Sequence, residues 1–296
     1  MSKPVKDIVI GVDIGGTKIM AGAVDAGGKV VSEPVSVPTG GNDEKEIIFS
    51  RIAWCIESVI KNAEEDRIKG IGLGATGPLD IKKGLILECP QLPTMHFFPL
   101  LERVSGKFRM PVAMDNDANA LLLGESIWGA GRGHRVVLGY TLGTGLGCAL
   151  VIDNKLFTGT NGMACEVWPS PDGEAIIEET ISGNGVSKIY SSLSGKLVSS
   201  AEVADLARRG DKDATETWNR FGRKLADAVA WGINFTDPGI VVLGGSIANS
   251  MDLFYDAMEA RLRKFICPVP ASKTLVVKAA LGDHSGFIGA AALLFQ

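Results

Sequence analysis

The sequence predicts an α/β protein built from two related α/β halves, and three observations carry that reading. A hairpin of two strands around a glycine turn occurs twice, over 8–24 and again over 136–152, with the same layout. Strand-like apolar runs alternate with amphipathic helical stretches along the chain, the pattern of layered α/β domains. With 296 residues, 46% hydrophobic and 22% charged, the chain is long and apolar enough for two cores.

The first hairpin opens with an apolar run from Ile8 into Gly11-Val12-Asp13-Ile14-Gly15-Gly16-Thr17-Lys18. Adjacent glycines leave main-chain N–H groups uncovered, so a phosphate can approach the backbone closely. Asp13 offers a carboxylate for a hydrated Mg²⁺, and Thr17 and Lys18 add a hydroxyl and a cation. Together these groups point to a nucleoside triphosphate. A Rossmann turn or a Walker loop would need a helix directly after the glycines. Residues 19–31 read instead as a second strand, an Asp/Gly turn and a third strand ending at Val30-Val31.

The following elements are placed by the same signals. Ile48, Ile52, Cys55, Ile56, Val59, Ile60 and Ala63 form one helical stripe. A strand over 70–76 ends at Gly77-Pro78. A strand over 111–114 stops at Asp115-Asn116-Asp117, where a helix over 118–128 begins. The second hairpin then repeats the first: Thr141-Leu142-Gly143-Thr144-Gly145 aligns with Asp13-Ile14-Gly15-Gly16-Thr17, without the acid. Residues 174–181 have helical composition. Ser199-Ser200 caps a helix over 201–209, and a long amphipathic helix over 211–235 stops at Asp237-Pro238-Gly239. A buried strand over 240–243 meets Gly244-Gly245-Ser246. A helix over 251–264, a strand over 274–279 and a small-residue helix over 286–294 complete the order. The boundary between halves is expected within 117–133, with the site in the cleft between them.

Composition excludes several function classes. A net charge of −4 without a basic run argues against nucleic acid as a partner. No apolar run approaches membrane-spanning length, and residues 1–7 lack a secretory h-region. Five scattered cysteines with no C-x-x-C pair read as reduced thiols of a cytoplasmic protein.

Taken in order, Asp13 to Lys18, Gly77-Pro78, Asn116-Asp117-Ala118-Asn119-Ala120 with Gly124-Glu125, Leu142 to Gly147, Glu178 with Ser182-Gly183, Leu243 to Ser246, Leu281-Gly282-Asp283 and Gly289-Ala290-Ala291 resemble the ROK family of sugar kinases, within the actin/hexokinase/Hsp70 ATPase superfamily. The resemblance implies two actin-like (ribonuclease H-like) α/β domains around a central cleft, 1–117 and 118–284, with helix 285–296 packing back on the first. It implies ATP and Mg²⁺, transfer to a hydroxyl of a hexose, glucose first, and commonly a homodimer. N-acetylmannosamine, fructose or allose kinases, polyphosphate as donor and an inactive sugar sensor are the alternatives. Sugar-responsive repressors of the family carry an N-terminal helix-turn-helix, for which a first strand near Ile8 leaves no room.

Roles follow residue by residue. Asp117 is the expected general base; at a strand end beside a helix N-terminus it is held rigidly and stays ionised. Gly15, Gly16, Thr17, Lys18, Gly143, Thr144 and Gly145 are expected on the phosphates, and the resemblance puts adenosine at Gly244-Gly245. Sugar contacts fall on Gly77, Asn116, Asp117, Glu166 and Glu178, and Mg²⁺ on Asp13 through water. Two departures stand out. Where the family has Glu-x-Gly-His and a Cys-rich zinc loop, this chain has Glu166-Val167-Trp168-Pro169 and then no Cys or His through Glu178, so no zinc is expected. Trp168 offers a stacking face in its place. Gln91-Leu92-Pro93 replaces Asn-Leu-Pro.

Overall fold

A computed structural model describes residues 7–63 and 67–295. The N-terminal residues 1–6, part of the segment read above for a secretory signal, lie outside the described residues. The chain divides into two compact units, one of residues 1–133, 154–162 and 280–296, the other of 134–153 and 163–279.

The first unit is organised by a five-stranded sheet whose strands lie in the order 35–38, 18–25, 8–14, 68–75 and 112–116. Strands β1 (Ile8–Ile14) and β2 (Lys18–Asp25) form the predicted antiparallel hairpin, in register from Ile14↔Ile19 to Ile8↔Asp25. The third strand is not at Val30-Val31. There a single bridge, Val24↔Val30, is all that forms. Side chains take over as acceptors in that stretch: Asp25 Oδ1 accepts from the Gly27 and Lys29 amides, and Ser32 Oγ from the Ala23 amide. Pairing resumes at β3 (Val35–Pro38). Helix α1 (Lys45–Asn62) buries Ile48, Ile52, Cys55, Ile56 and Val59, the predicted stripe. Each such aliphatic side chain contributes about 1.5–3 kcal/mol on burial.

Strand β4 (Ile68–Ala75) runs parallel to β1. A small hairpin, β5 (Leu79–Asp80) with β6 (Leu85–Ile86), and helix α2 (Leu100–Phe108) follow, none of them expected from the sequence. Strand β7 (Val112–Asn116) joins β4 in parallel and leads directly into α3 (Asp117–Trp128).

The second unit carries β8 (Val136–Leu142) and β9 (Leu146–Ile152), the second hairpin. Positive-φ Asp153 and Asn154 turn the chain into β10 (Lys155–Leu156). Residues 174–181 are not a helix. They contain β12 (Ala175–Ile176), paired with β11 (Pro171–Asp172), and a 3₁₀ turn at Ile177–Glu179. Asp172 decides the matter: its Oδ2 accepts from Thr180 Oγ1 at 2.7 Å and from Lys224 Nζ at 2.6 Å, closing a hairpin where composition alone suggested a helix.

The helix starts instead at α4 (Gly183–Ser194), capped by Ser182. Helix α5 (Ser200–Arg208) carries a capping box between Ser199 and Glu202, and α6 (Lys212–Thr236) is capped by Asp211. Strand β13 (Ile240–Gly244), α7 (Met251–Phe265), α8 (Pro268–Lys273) and β14 (Leu275–Lys278) complete the unit. Within the unit the sheet order is β9-β8-β13-β14. Trp218 and Phe221 of α6 and Phe254 of α7 pack with ring centroids 5.3–5.9 Å apart.

Helix α9 (Ser285–Ala292) returns to the first unit and lies on β1 and β4. Gly11 and Gly72 make that possible, since a Cβ on either would meet the carbonyl of Phe287 or Ala290. Helix α3 crosses α9 at Gly124 and Gly289 for the same reason. One fully buried carboxylate fastens the arrangement. Glu125 accepts from the Ala130 amide at 2.8 Å, the Ala280 amide at 3.0 Å and the Leu281 amide at 2.8 Å.

Candidate functional site

In the first unit the site is set by strand register. Ile14 pairs with Ala75 and Ala75 with Asn116, so β1, β4 and β7 end level with one another. The turns that follow, at Gly15-Gly16, Gly77 and Asn116-Asp117, therefore line one edge of the sheet, the carboxyl end where α/β sheets place their ligands.

The Gly15 amide closes the first hairpin onto the Lys18 carbonyl at 3.0 Å. Thr39 holds the turn from outside, donating from Oγ1 to the Gly15 carbonyl at 2.7 Å and from its amide to the Thr17 carbonyl at 2.9 Å. Gly16 abuts the Gln91 side chain, which leaves no room for a Cβ there. Gln91 in turn accepts from Cys89 Sγ at 3.3 Å.

Asp13 lies in β1, paired with Met20 on one side and Gly74 on the other. Burial pushes its carboxyl up to about 6, opposed by the nearby Lys18 charge. Its carboxylate stands against Gly286, in the first turn of α9, where any side chain would collide with it. The positive end of a helix favours the ionised form. A single carboxylate is enough for Mg²⁺, which binds through one or two acids plus water and phosphate. Among the described residues no group of three or more His, Cys, Asp or Glu side chains forms a metal cage.

Asn116 and Asp117 both face the start of α3, and the Ala118 amide is shared between them, at 2.9 Å from Asn116 Oδ1 and 2.7 Å from Asp117 Oδ1. Asn116 is the cap and Asp117 is the first helical residue. Beneath them the buried Asp115 accepts from the Asn116 amide and from Asn119 Nδ2, each at 2.7 Å, and burial raises its pKa. Gly77 lies against the Asn116 amide group, 3.1 Å from where a Cβ would stand. Burial, with the Asp117 charge as a lesser cause, also raises the Cys89 thiol pKa.

The second unit gathers Gly143, Gly145, Glu178, Gly183 and Gly244-Gly245 at the end of β8 and β13. The Gly143 amide donates to the Gly145 carbonyl at 3.0 Å, and the Gly183 amide to the Gly143 carbonyl at 2.8 Å. Gly245 has φ +82, and a side chain there would strike the Leu142 carbonyl. Thr144 lies within the same turn. Glu178 reaches the hairpin from the side, Oε2 accepting from the Leu146 amide at 2.9 Å and lying over Gly145. Glu166 sits half-buried at the centre of a tight turn, with the Val167 amide 2.7 Å from the Cys165 carbonyl. The Trp168 side chain is 37% exposed.

Five residues escaped sequence reasoning. Gly286 makes room for Asp13, Glu125 reaches an amide 156 positions away, Asp172 with Lys224 shapes the Glu178 loop, and Thr39 braces the first turn. Only Glu125 lay within a motif.

Two α/β units, each presenting a glycine hairpin at the carboxyl end of its sheet, define an actin-like protein of the nucleotide-dependent phosphotransferase class. The chain belongs to the ROK family, whose family model matches residues 9–296. It is 32% identical to a glucokinase of Thermotoga maritima, covering 97% of this chain and 96% of that protein. It is 31% identical to an N-acetyl-D-glucosamine kinase of Photobacterium profundum, covering 96% and 98%. A ROK family glucokinase from Streptomyces griseus, solved in complex with glucose and AMPPNP, superposes with a TM-score of 0.82 at 29% identity, covering 97% of this chain and 98% of that one.

Proposed function

We propose that this protein is an ATP-dependent hexose kinase, with glucose as acceptor and Asp117 as general base. The observation that carries the reading is the level ending of β1, β4 and β7, which sets Asp13, Gly77, Asn116 and Asp117 along one edge. Full-length similarity to a glucokinase supports the substrate.

Phosphoryl transfer asks the protein mainly for positioning and charge. Gly16, Thr17 and Lys18 from one hairpin, and Thr144 and Gly145 from the other, donate to phosphate oxygens, while Gly15 and Gly143, whose amides close the two turns, leave the backbone open to the phosphates. Gly244 and Gly245 flank the nucleoside. Gly77, Asn116, Glu166 and Glu178 hold the sugar hydroxyls, Glu178 with the oxygen it does not give to Leu146. Asp117 accepts the proton of the sugar's primary hydroxyl as that oxygen bonds to phosphorus. Asp13 is the residue that would hold Mg²⁺ through water; the ion, when bound, neutralises charge on the transferred group. The protein works in the cytoplasm as a homodimer.

The test is coupled ADP release with Mg-ATP across glucose, N-acetylglucosamine, N-acetylmannosamine, fructose and allose. Release that depends on glucose and exceeds the other sugars is expected. Folded protein that releases no ADP with any of them sinks the reading.

A further inference from the structure

The first glycine turn is held by a loop that lies outside the hairpin. After β3 ends at Pro38, residues 39–44 run beside Gly15 and Gly16 before α1 begins at Lys45. Thr39, fully buried, grips the turn on both sides, hydroxyl to the Gly15 carbonyl and amide to the Thr17 carbonyl. Gly41 packs between the Gly16 and Gln91 carbonyls, and a Cβ there would strike the Gln91 oxygen. The turn keeps its place only as well as this loop keeps its own.

Arg51 of α1 fixes the loop. Its Nη1 donates to the Thr39 carbonyl at 2.7 Å and to Asp43 Oδ2 at 2.6 Å. One nitrogen thus draws the two ends of 39–43 together. Asp43 also donates from its amide to the Gly40 carbonyl at 2.7 Å, and its own carbonyl accepts from Thr94 Oγ1 at 2.5 Å. Thr94 follows Gln91, whose side chain abuts Gly16, so the loop is clasped from a second side. Gly40, at φ +63, sits against the ion pair, where a Cβ would collide with both Arg51 Nη1 and Asp43 Oδ2. With side chains 33% and 43% exposed, the pair adds little to the stability of the whole fold. Its effect is local, on the shape of the loop it closes.

We propose that Arg51 is a positioning residue for phosphoryl transfer, holding the turn at residues 15–18 in its phosphate-binding shape through Thr39 and Asp43.

The inference rests on the nucleotide-binding role proposed for that turn. Thr39 holds the carbonyls of Gly15 and Thr17, and so sets the direction of the Gly16 and Thr17 amides between and beside them. Without Arg51 the Thr39 carbonyl and the Asp43 carboxylate lose their common donor. The phosphates then have to order the turn as they bind, a cost that falls on nucleotide affinity. The sugar contacts at Gly77 and Asn116 are set by β4 and β7 instead, so glucose affinity is spared. Because both hydrogen bonds leave from a single nitrogen, the planar fork of arginine is not required, and a lysine ammonium can serve both acceptors.

The experiment compares the parent with Arg51→Met, Arg51→Lys, Gly40→Ala and Arg103→Met. Arg103→Met is the control: it breaks a bidentate pair with Glu46 on the same helix, at 2.9 and 2.6 Å. The readouts are the Kd of Mg-AMPPNP by calorimetry, the KM of ATP and of glucose, and amide exchange at Gly15, whose N–H closes the turn on Lys18. Arg51→Met is expected to raise the AMPPNP Kd and the ATP KM about tenfold, through misplacement of the turn, and to leave the glucose KM within about twofold. Gly15 exchange is expected to quicken about tenfold in the same variant without ligand. Arg51→Lys should restore all three to within about threefold of the parent. Gly40→Ala should repeat the methionine effect with every charge in place, and Arg103→Met should change neither constant. Parent-like AMPPNP binding by Arg51→Met, an equal rise in the glucose KM, or failure of Arg51→Lys to restore binding overturns the inference. A parent protein that binds no AMPPNP would strike the nucleotide reading itself; unchanged Gly15 exchange in Arg51→Met would then overturn the brace separately.

Discussion

The two glycine hairpins share a backbone plan and differ in how each is held and charged. The first ends in Asp13, buried against Gly286 with Lys18 nearby, and its turn is braced by Thr39. The second has Thr141 where the first has Asp13. It is braced by an acid from outside, Glu178, bonded to the Leu146 amide. One hairpin therefore carries its own charge, and the other borrows a carboxylate from a neighbouring loop. The repeated element is the glycine-turn backbone; under the proposed roles the chemistry is divided between the copies, with metal and base on the first unit and sugar-loop acids on the second.

The largest effect should come from removing the base on the first side. Asp117→Asn is expected to lower kcat by about 10³-fold, within the range for a lost general base, while ATP affinity measured by calorimetry stays near normal. Near-normal turnover would show that the acid at the head of α3 is only a second cap beside Asn116.

Asp13→Asn should follow, lowering kcat/KM for Mg-ATP about 100-fold, as for loss of a metal-orienting group. The same residue predicts a pH signature. Its folded pKa of about 6 lies above the ordinary 3.8, so the folded state binds more protons than the unfolded state across that interval. Stability of the ligand-free protein therefore falls as pH rises from about 4 to 6, and the cost is fully present at pH 7. Asp13→Asn should raise the ligand-free stability at pH 7 by on the order of 3 kcal/mol, read by urea unfolding, even as it destroys activity. Equal stability of variant and parent at pH 7 would mean that the carboxylate is not held at a cost.

On the second side the effects should be smaller. Gly145→Ala drives a methyl onto Glu178 and should raise the ATP KM about 30-fold through misplacement of the turn. Glu178→Gln keeps an acceptor for the Leu146 amide but loses the charge, and should raise the glucose KM about fivefold with little change for ATP, the cost of one weakened charged hydrogen bond. If Glu178→Gln matched Asp13→Asn in its effect on ATP, the division of roles between hairpins would be wrong.

How much of this could be read from the residues depends on the range of the interactions. The hairpins were legible because glycine turns and alternating apolar residues are local signals. The cap at Ser199 and the stop at Asp237 were legible for the same reason, and the start of α3 was narrowed to Asn116 or Asp117. The third strand was displaced from Val30-Val31 to Val35–Pro38 because Asp25 and Ser32 side chains occupy the backbone groups in between. The stretch 174–181 read as helix by composition, yet Asp172 bonds Lys224, 52 residues away, and folds it into a hairpin. Helix α4 went unseen because its first turn holds Gly183 and Gly185, poor helix formers; burial of Val186 and Tyr190 sustains it. Of the parts contributed at long range, Gly286 under Asp13 leaves no local trace, and Glu125 under Leu281 stood in a motif that did not disclose its role.

The position of α9 has a consequence for biosynthesis. Ribosomes deliver β1 and β4 early, but the helix that covers Gly11 and Gly72 is translated after all of the second unit. The nascent amino-terminal sheet must therefore wait with the part of that face over β1 and β2 uncovered, α3 alone packing on β4 and β7, while the later-made unit can finish folding first. Stop codons or proteolytic nicks shortly before residue 285 would strip the earliest-synthesised sheet of its lid, so that damage at the tail is felt at the head.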